Sequence, residues 1–204
     1  ANEGEPDTVE NEDGTESVID PDGSISVIDM SGEFANLSQA AVSTADFLRF
    51  NGQEADLRAN GVRIFPDAAA AQDFEPEYIA VSPDGTKAFV TLQENNAIAI
   101  IDIATATVES IKPLGLKDFS AAGNGIDASD RDGAIDIEGD KGGQISIDSE
   151  LVFGLYMPDS IASFDSAGET FYVIANEGDD RGDADADARG DAVRVKDLAD
   201  VTSF

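Results

Sequence analysis

Carboxylates are the abundant reactive groups of this chain. It carries 43 Asp and Glu against 12 Lys and Arg, and neither His nor Cys. Without imidazole or thiol there is no Ser-His-Asp triad, no cysteine nucleophile and no thiolate or imidazole metal site. What remains is oxygen chemistry, which suits a hard cation: Ca²⁺, or else Mg²⁺ or Mn²⁺. The densest candidate set is Asp127, Ser129, Asp130, Asp132 and Asp136, followed by Gly133 as the residue that permits a sharp turn. Ca²⁺ takes about 6–8 oxygens, and alternating acidic loop residues can supply them. The spacing is not that of an EF-hand, because the glycine falls one place late and Arg131 interrupts the run. The same segment also reads as a solvated loop held by Asx-turns and an Arg131 ion pair.

A second acidic set comprises Glu177, Asp179, Asp180, Asp183, Asp185 and Asp187, with Glu3, Glu5 and Asp7 as a counterpart near the amino end. The Asp-Ala alternation from Asp183 to Asp187 has no fixed geometry and reads as solvated surface. Glu3, Glu94 and Glu177 read as equivalent positions just after a second strand, and Asn95 stands beside Glu94. These are candidate binding residues, or carboxylates capping backbone N–H groups at strand ends.

The elements that must position these groups form a repeat. Pro76 to Leu92 reads as strand, Pro-Asp-Gly turn, strand, then Ala97 to Ile103 as a third strand and Thr107 to Ile111 as a fourth. The order recurs at Pro158–Phe164, Thr170–Ala175 and Ala192–Leu198, and Ser24–Met30 repeats the third strand. Aligned in this way, Asp29, Asp102 and Asp197 share one position, read as structural turn residues, and Glu3, Glu94 and Glu177 share another. The expected fold is all-β, a partial β-propeller of antiparallel blades with long insertions. A β-sandwich with long loops is the competing architecture. The segments are a partial blade 1–30, an insertion 31–75, a blade 76–112, an insertion 113–157 and a blade 158–204. Within the first insertion, Ala40, Val42, Phe47, Leu48 and Phe50 have helical spacing, so a short helix is expected over Gln39 to Phe50 with Ser43 or Thr44 as a cap. Another helical turn is expected over Ala68 to Gln72, and the rest of both insertions as loop.

Three whole or partial blades do not close a propeller of about 4–8 blades. The remainder of a longer polypeptide, or another chain, is expected to complete it. Ala1-Asn2-Glu3-Gly4 reads as a strand end, so Ala1 is expected to be a processing or proteolysis boundary, which N-terminal sequencing of the source protein checks.

Several stretches carry a family resemblance: Ala1 to Pro6, Asp20 to Asp29, Glu75 to Ser82, Leu92 to Ala97, Gly123 to Gly133 and Ala175 to Asp179. In order along the chain they resemble the choice-of-anchor I family, within the wider group of surface-layer propellers. The resemblance implies an extracellular propeller, part of a larger anchored protein, whose members are often labelled alkaline phosphatase-like. It supplies no catalytic residues.

Two functions follow as expectations. One is an acidic extracellular module that binds Ca²⁺ and acts in surface binding or scaffolding. The other is a metal-dependent phosphoesterase, for which Arg131, Lys141, Arg181 and Arg189 are the cations near the acidic loops. A net charge of −31 repels nucleic acid and anionic membranes. It also suits a salt-adapted protein. No apolar run is long enough for a membrane-spanning helix.

Overall fold

Alternating apolar side chains dominate residues 76–113, and this segment forms a four-stranded sheet with buried residues on both faces. The computed structural model describes residues 1–4, 6–11, 13–30, 41–129, 132–134 and 142–178. Contacts divide the chain into two compact units, one running from Ala1 to Leu114 and resuming at Met157, the other spanning Gly115–Tyr156.

In the larger unit, β1 (Asp7–Glu10) and β2 (Glu16–Ile19) form a hairpin. β3 (Ser24–Ile28) pairs antiparallel with β4 (Val42–Asp46). A 3-10 turn (Leu48–Phe50), α1 (Glu54–Ala59) and α2 (Ala70–Asp73) follow. The central sheet is a meander of β5 (Pro76–Val81), β6 (Lys87–Leu92), β7 (Ala97–Asp102) and β8 (Thr107–Pro113), in that order. Its four strands lie on the four segments that periodicity predicts. In the smaller unit, β9 (Lys117–Asp118) pairs with β12 (Phe153–Gly154) and β10 (Ile126–Asp127) with β11 (Ile147–Asp148). The chain then returns through β13 (Pro158–Ser166) and β14 (Glu169–Asn176), an antiparallel hairpin. The protein is therefore all-β, built of open antiparallel sheets. The segment Ala192–Leu198, with Asp197, lies outside the described residues.

The central sheet buries both faces, and strand alternation decides which residue goes where. Across β6 and β7, the pairs Ala88–Ile101, Val90–Ala99 and Leu92–Ala97 point to one side. There they join Ile25 and Ala45 of the β3–β4 sheet and Phe47, Phe50 and Phe74 from the connecting segment. Phe89 and Ile98 point to the other side, with Ala80 from β5, and meet Ile161 and Ile174 of the β13–β14 hairpin. Tyr172 sets its ring 5.4 Å from that of Phe89. Thr91, the polar member of that face, accepts from the Tyr78 N–H at 2.9 Å and donates to the Asp159 carbonyl at 3.3 Å. Three sheets are thus stacked in chain order: β3–β4, β5–β8, β13–β14.

The structure corrects the sequence reading of the first insertion. Val42–Asp46 is a strand, not part of a helix over Gln39 to Phe50, of which residues 39 and 40 lie outside the described residues. Pairing with β3 lets Ala45 enter the core beside Ile25, a gain that local helical spacing does not offer a run rich in Val, Ser and Thr. Glu54–Ala59, expected as loop, is helical. The Glu54 carboxylate accepts from the N–H groups of Gly52 and Ala70, and so ties the start of α1 to that of α2. The turn expected at Ala68 to Gln72 is α2, shifted toward the C-terminus.

Candidate functional site

Sheet stacking brings the second-strand ends of all three sheets to one end of the stack. Asn2 bridges Ser24 at the start of β3, and Gly23 lies so close to Phe74 and Pro76 that a side chain there would meet the Phe74 carbonyl. The Gln93-Glu94-Asn95-Asn96 turn joins β6 to β7. Asn96 adopts φ 51° and accepts from the Met157 N–H at 3.2 Å. The Glu177 N–H in turn donates to the Met157 carbonyl at 3.1 Å.

Strand register fixes which residues are equivalent. Pro76 pairs with Leu92 and Ile79 with Val90; Pro158 pairs with Asn176 and Ile161 with Ile174. Both first strands carry one extra residue between those two pairs, a shared bulge. Asn2 opposite Ser24 matches Leu92 opposite Ala97. The residue that follows is Glu3, Gln93 and Glu177 in the three sheets. Glu94, aligned with Glu3 and Glu177 on sequence, stands one place later, level with Gly4 and Gly178. Gln93 is the site residue that sequence reasoning missed, and the shared bulge is the signal that identifies it.

Gln93 is 1% exposed, and its amide lies between two carboxylates. With its nitrogen toward Glu77 it donates to Oε2 at 2.5 Å and Oε1 at 3.1 Å, the favoured orientation. In the reverse orientation Nε2 donates to Glu177 Oε2 at 3.3 Å. One amide nitrogen serves one carboxylate. When it serves Glu77, the amide oxygen takes the position 3.3 Å from Glu177 Oε2 and sets two hard oxygens side by side.

The other candidates divide. Glu94 is buried and its carbonyl accepts from Arg63 Nη1 at 3.0 Å. Asn95 is fully buried, and its Nδ2 donates to the Arg63 carbonyl, the Asp73 carbonyl and Asp73 Oδ2 at 2.8–2.9 Å. Its amide nitrogen thus braces the segment before β5 against the turn. Glu3 is exposed. In the smaller unit, Asp127 Oδ2 accepts from the Ser146 N–H at 3.4 Å and Asp132 Oδ1 from the Gln144 N–H at 3.0 Å. These two carboxylates clasp the returning strand. Gly133 is needed for close approach, since a Cβ would lie 2.5 Å from the Gly142 carbonyl oxygen. Ser129 is exposed, and Asp130, Asp136 and Asp179 lie outside the described residues. Among the described residues, no three acidic side chains group around a common point.

Elsewhere carboxylates staple turns. Asp102 Oδ2 receives Lys87 Nζ at 2.9 Å, and its Oδ1 receives the N–H and hydroxyl of Thr105 at 2.9 and 2.8 Å. The lysine bond first, then those from Thr105, lower its pKa to about 2. Asp84, Asp13 and Asp118 are lowered in the same way, chiefly by the hydroxyls of Ser82, Thr15 and Ser120 respectively. Asp102 thus fills the structural role expected of it.

No curated protein and no solved structure matches the chain. Among the described residues no helix is long and apolar enough to cross a membrane. The family model for the choice-of-anchor I domain matches residues 1–203, and domains of this kind are typically extracellular or surface-anchored. The chain belongs to the choice-of-anchor I domain family.

Proposed function

We propose that this chain is a non-enzymatic surface-associated module: a propeller-type stack of sheets that binds a hard cation, Ca²⁺ in the first place, at its acidic end and serves in surface binding or scaffolding. The observation that carries this reading is the convergence of Glu77, Gln93 and Glu177 across the junction of two stacked sheets. With the Gln93 nitrogen turned to Glu77, its amide oxygen and the Glu177 carboxylate would be the pair offered to the ion, the type of donor that suits Ca²⁺. A cation bridging Gln93 and Glu177 would tie the second sheet to the third, so binding and fold stability are linked.

The test is thermal unfolding after chelation, at fixed molar NaCl, with and without millimolar Ca²⁺. A saturable rise in melting temperature is expected, because NaCl already screens general repulsion. Glu177→Gln removes one anionic ligand and should diminish that rise. No rise, or one unchanged in Glu177→Gln, would refute the cation site at this junction.

A further inference from the structure

The chain has 7 prolines, and one of them follows an aspartate: Pro21, after Asp20. This bond joins the β1–β2 hairpin to β3. An aspartate carboxylate reaches its own carbonyl carbon by closing a five-membered ring, so nucleophile and target already belong to one residue. The proline nitrogen carries no N–H, and it leaves as a secondary amine.

Two consecutive residues of α2 span this bond. Gln72 Nε2 donates to the Asp20 carbonyl at 3.0 Å, and the Gly23 N–H donates to the Ala71 carbonyl at 2.9 Å. α2 is itself anchored, since the Ala70 N–H donates to Glu54 Oε1 at 3.1 Å and the Ala71 N–H to Asn51 Oδ1 at 2.8 Å. Past Gly23, Ser24 and Asn2 exchange two backbone bonds at 2.8 and 2.9 Å. The Asp20 carbonyl is therefore held with a donor on the oxygen where negative charge gathers when a nucleophile adds to its carbon. Exposure also divides across the bond. Asp20 is half-buried and its Oδ1 is shielded from solvent, while Pro21 is exposed. The attacking side is screened from water, and the leaving nitrogen can take a proton from it.

We infer that Asp20–Pro21 is a self-cleavage site, with Asp20 as nucleophile and Gln72 as the donor to the oxyanion. A carboxylate oxygen of Asp20 bonds to the Asp20 carbonyl carbon, and the C–N bond to Pro21 breaks. The electron pair stays on the Pro21 nitrogen, which takes a proton from water. Asp20 is left as a cyclic anhydride, and one water opens it to a C-terminal aspartate. The net reaction is hydrolysis of one peptide bond and needs no reactant besides water. Its products are residues 1–20, with β1 and β2, and residues 21–204. The first piece keeps its Asn2 bonds to Ser24, so scission turns a covalent link into a docked, separable segment. This site is independent of the cation junction.

The test is incubation of the 204-residue chain in mildly acidic buffer, followed by mass spectrometry and N-terminal sequencing. A new terminus at Pro21 is expected, and it should form faster in the folded protein than in the chain unfolded in urea at the same pH. Asp20→Ala should stop the reaction. Gln72→Met, which keeps the side-chain shape and removes the donor, should slow it about tenfold or more, with unchanged melting as the check on folding. Equal rates in the folded and unfolded chains would mean that the bond has only the lability of any Asp–Pro pair, and would overturn the assignment. So would a chain that stays intact, or a rate that a folded Gln72→Met leaves as it was.

Discussion

The central sheet and the Gly115–Tyr156 unit are made of the same acidic chain and held by different forces. Across β6 and β7 nearly every side chain is buried, and apolar contact on two faces does the holding. In Gly115–Tyr156 the paired strands are two residues long, and Ile145 and Leu151 are 90% and 94% exposed. Order there comes from local bonds: Asp118 to Ser120, Asn124 to the Asp118 carbonyl, Asp127 to Ser146, and Asp132 to Gln144. Lys117 also sets its ammonium 4.7 Å from the Phe119 ring. The contrast shows that acidity serves the two regions differently. At the central sheet carboxylates sit at the rim and in turns, whereas in the smaller unit they are part of the frame.

Breaking the stacked core should have the largest effect. Ile98 is fully buried on the face that meets Ile161, so Ile98→Ala removes apolar contact between two sheets and leaves a cavity. A loss of about 2–5 kcal/mol is expected in denaturant unfolding. A loss near that of a surface substitution would show that the two sheets are not packed as described, and would undo the stacking argument.

The core was legible in the sequence because strand periodicity is local. Ala-Ile-Ala-Ile-Ile from Ala97 to Ile101 announces a strand, and Pro83-Asp84-Gly85 announces the turn between β5 and β6. What failed was the information that lies between segments. Val42 to Asp46 has residues compatible with either period, and only the partner strand β3 decides. The off-by-one at Glu94 has the same origin. Sequence similarity aligned the glutamates, while a bulge in each first strand sets the true register, and a slip of one residue exchanges the two faces of a strand. At the candidate site the acidic composition was plain from the outset. The amide between two carboxylates was not, because Glu77, Gln93 and Glu177 meet only after two sheets have stacked.

Acid should separate the two forces next. The carboxylates of Asp84, Asp102 and Asp118 have folded pKa values below their ordinary ones, so each contributes stability that is present above the unfolded value and lost as pH falls through the folded one. For Asp102 that window runs from about 4 in the unfolded chain down to about 2. The melting temperature is expected to fall as pH is lowered through it in molar NaCl, and less steeply in Asp102→Asn. An equal slope in that variant would mean that the Lys87 and Thr105 bonds make no net contribution to folding.

The smallest effect expected is the one most specific to the smaller unit. Asp118 is half-buried, and its carboxylate accepts from the Ser120 N–H at 2.9 Å and the Ser120 hydroxyl at 2.6 Å. Its backbone carbonyl meanwhile accepts from Asn124 Nδ2 at 2.9 Å, so one residue holds both ends of the 118–124 turn. Asp118→Ala removes the side-chain half and leaves the carbonyl in place. Because no apolar side chain of Gly115–Tyr156 is buried among the described residues, the loss should stay local. Hydrogen exchange at the Ser120 amide should quicken, while amides of β6 and β7 keep their wild-type protection and the main unfolding transition moves little. If instead the β6 and β7 amides quickened as much as Ser120, the turn and the central sheet would be opening as one cooperative body. The division between a core-held region and a hydrogen-bond-held one would then be wrong.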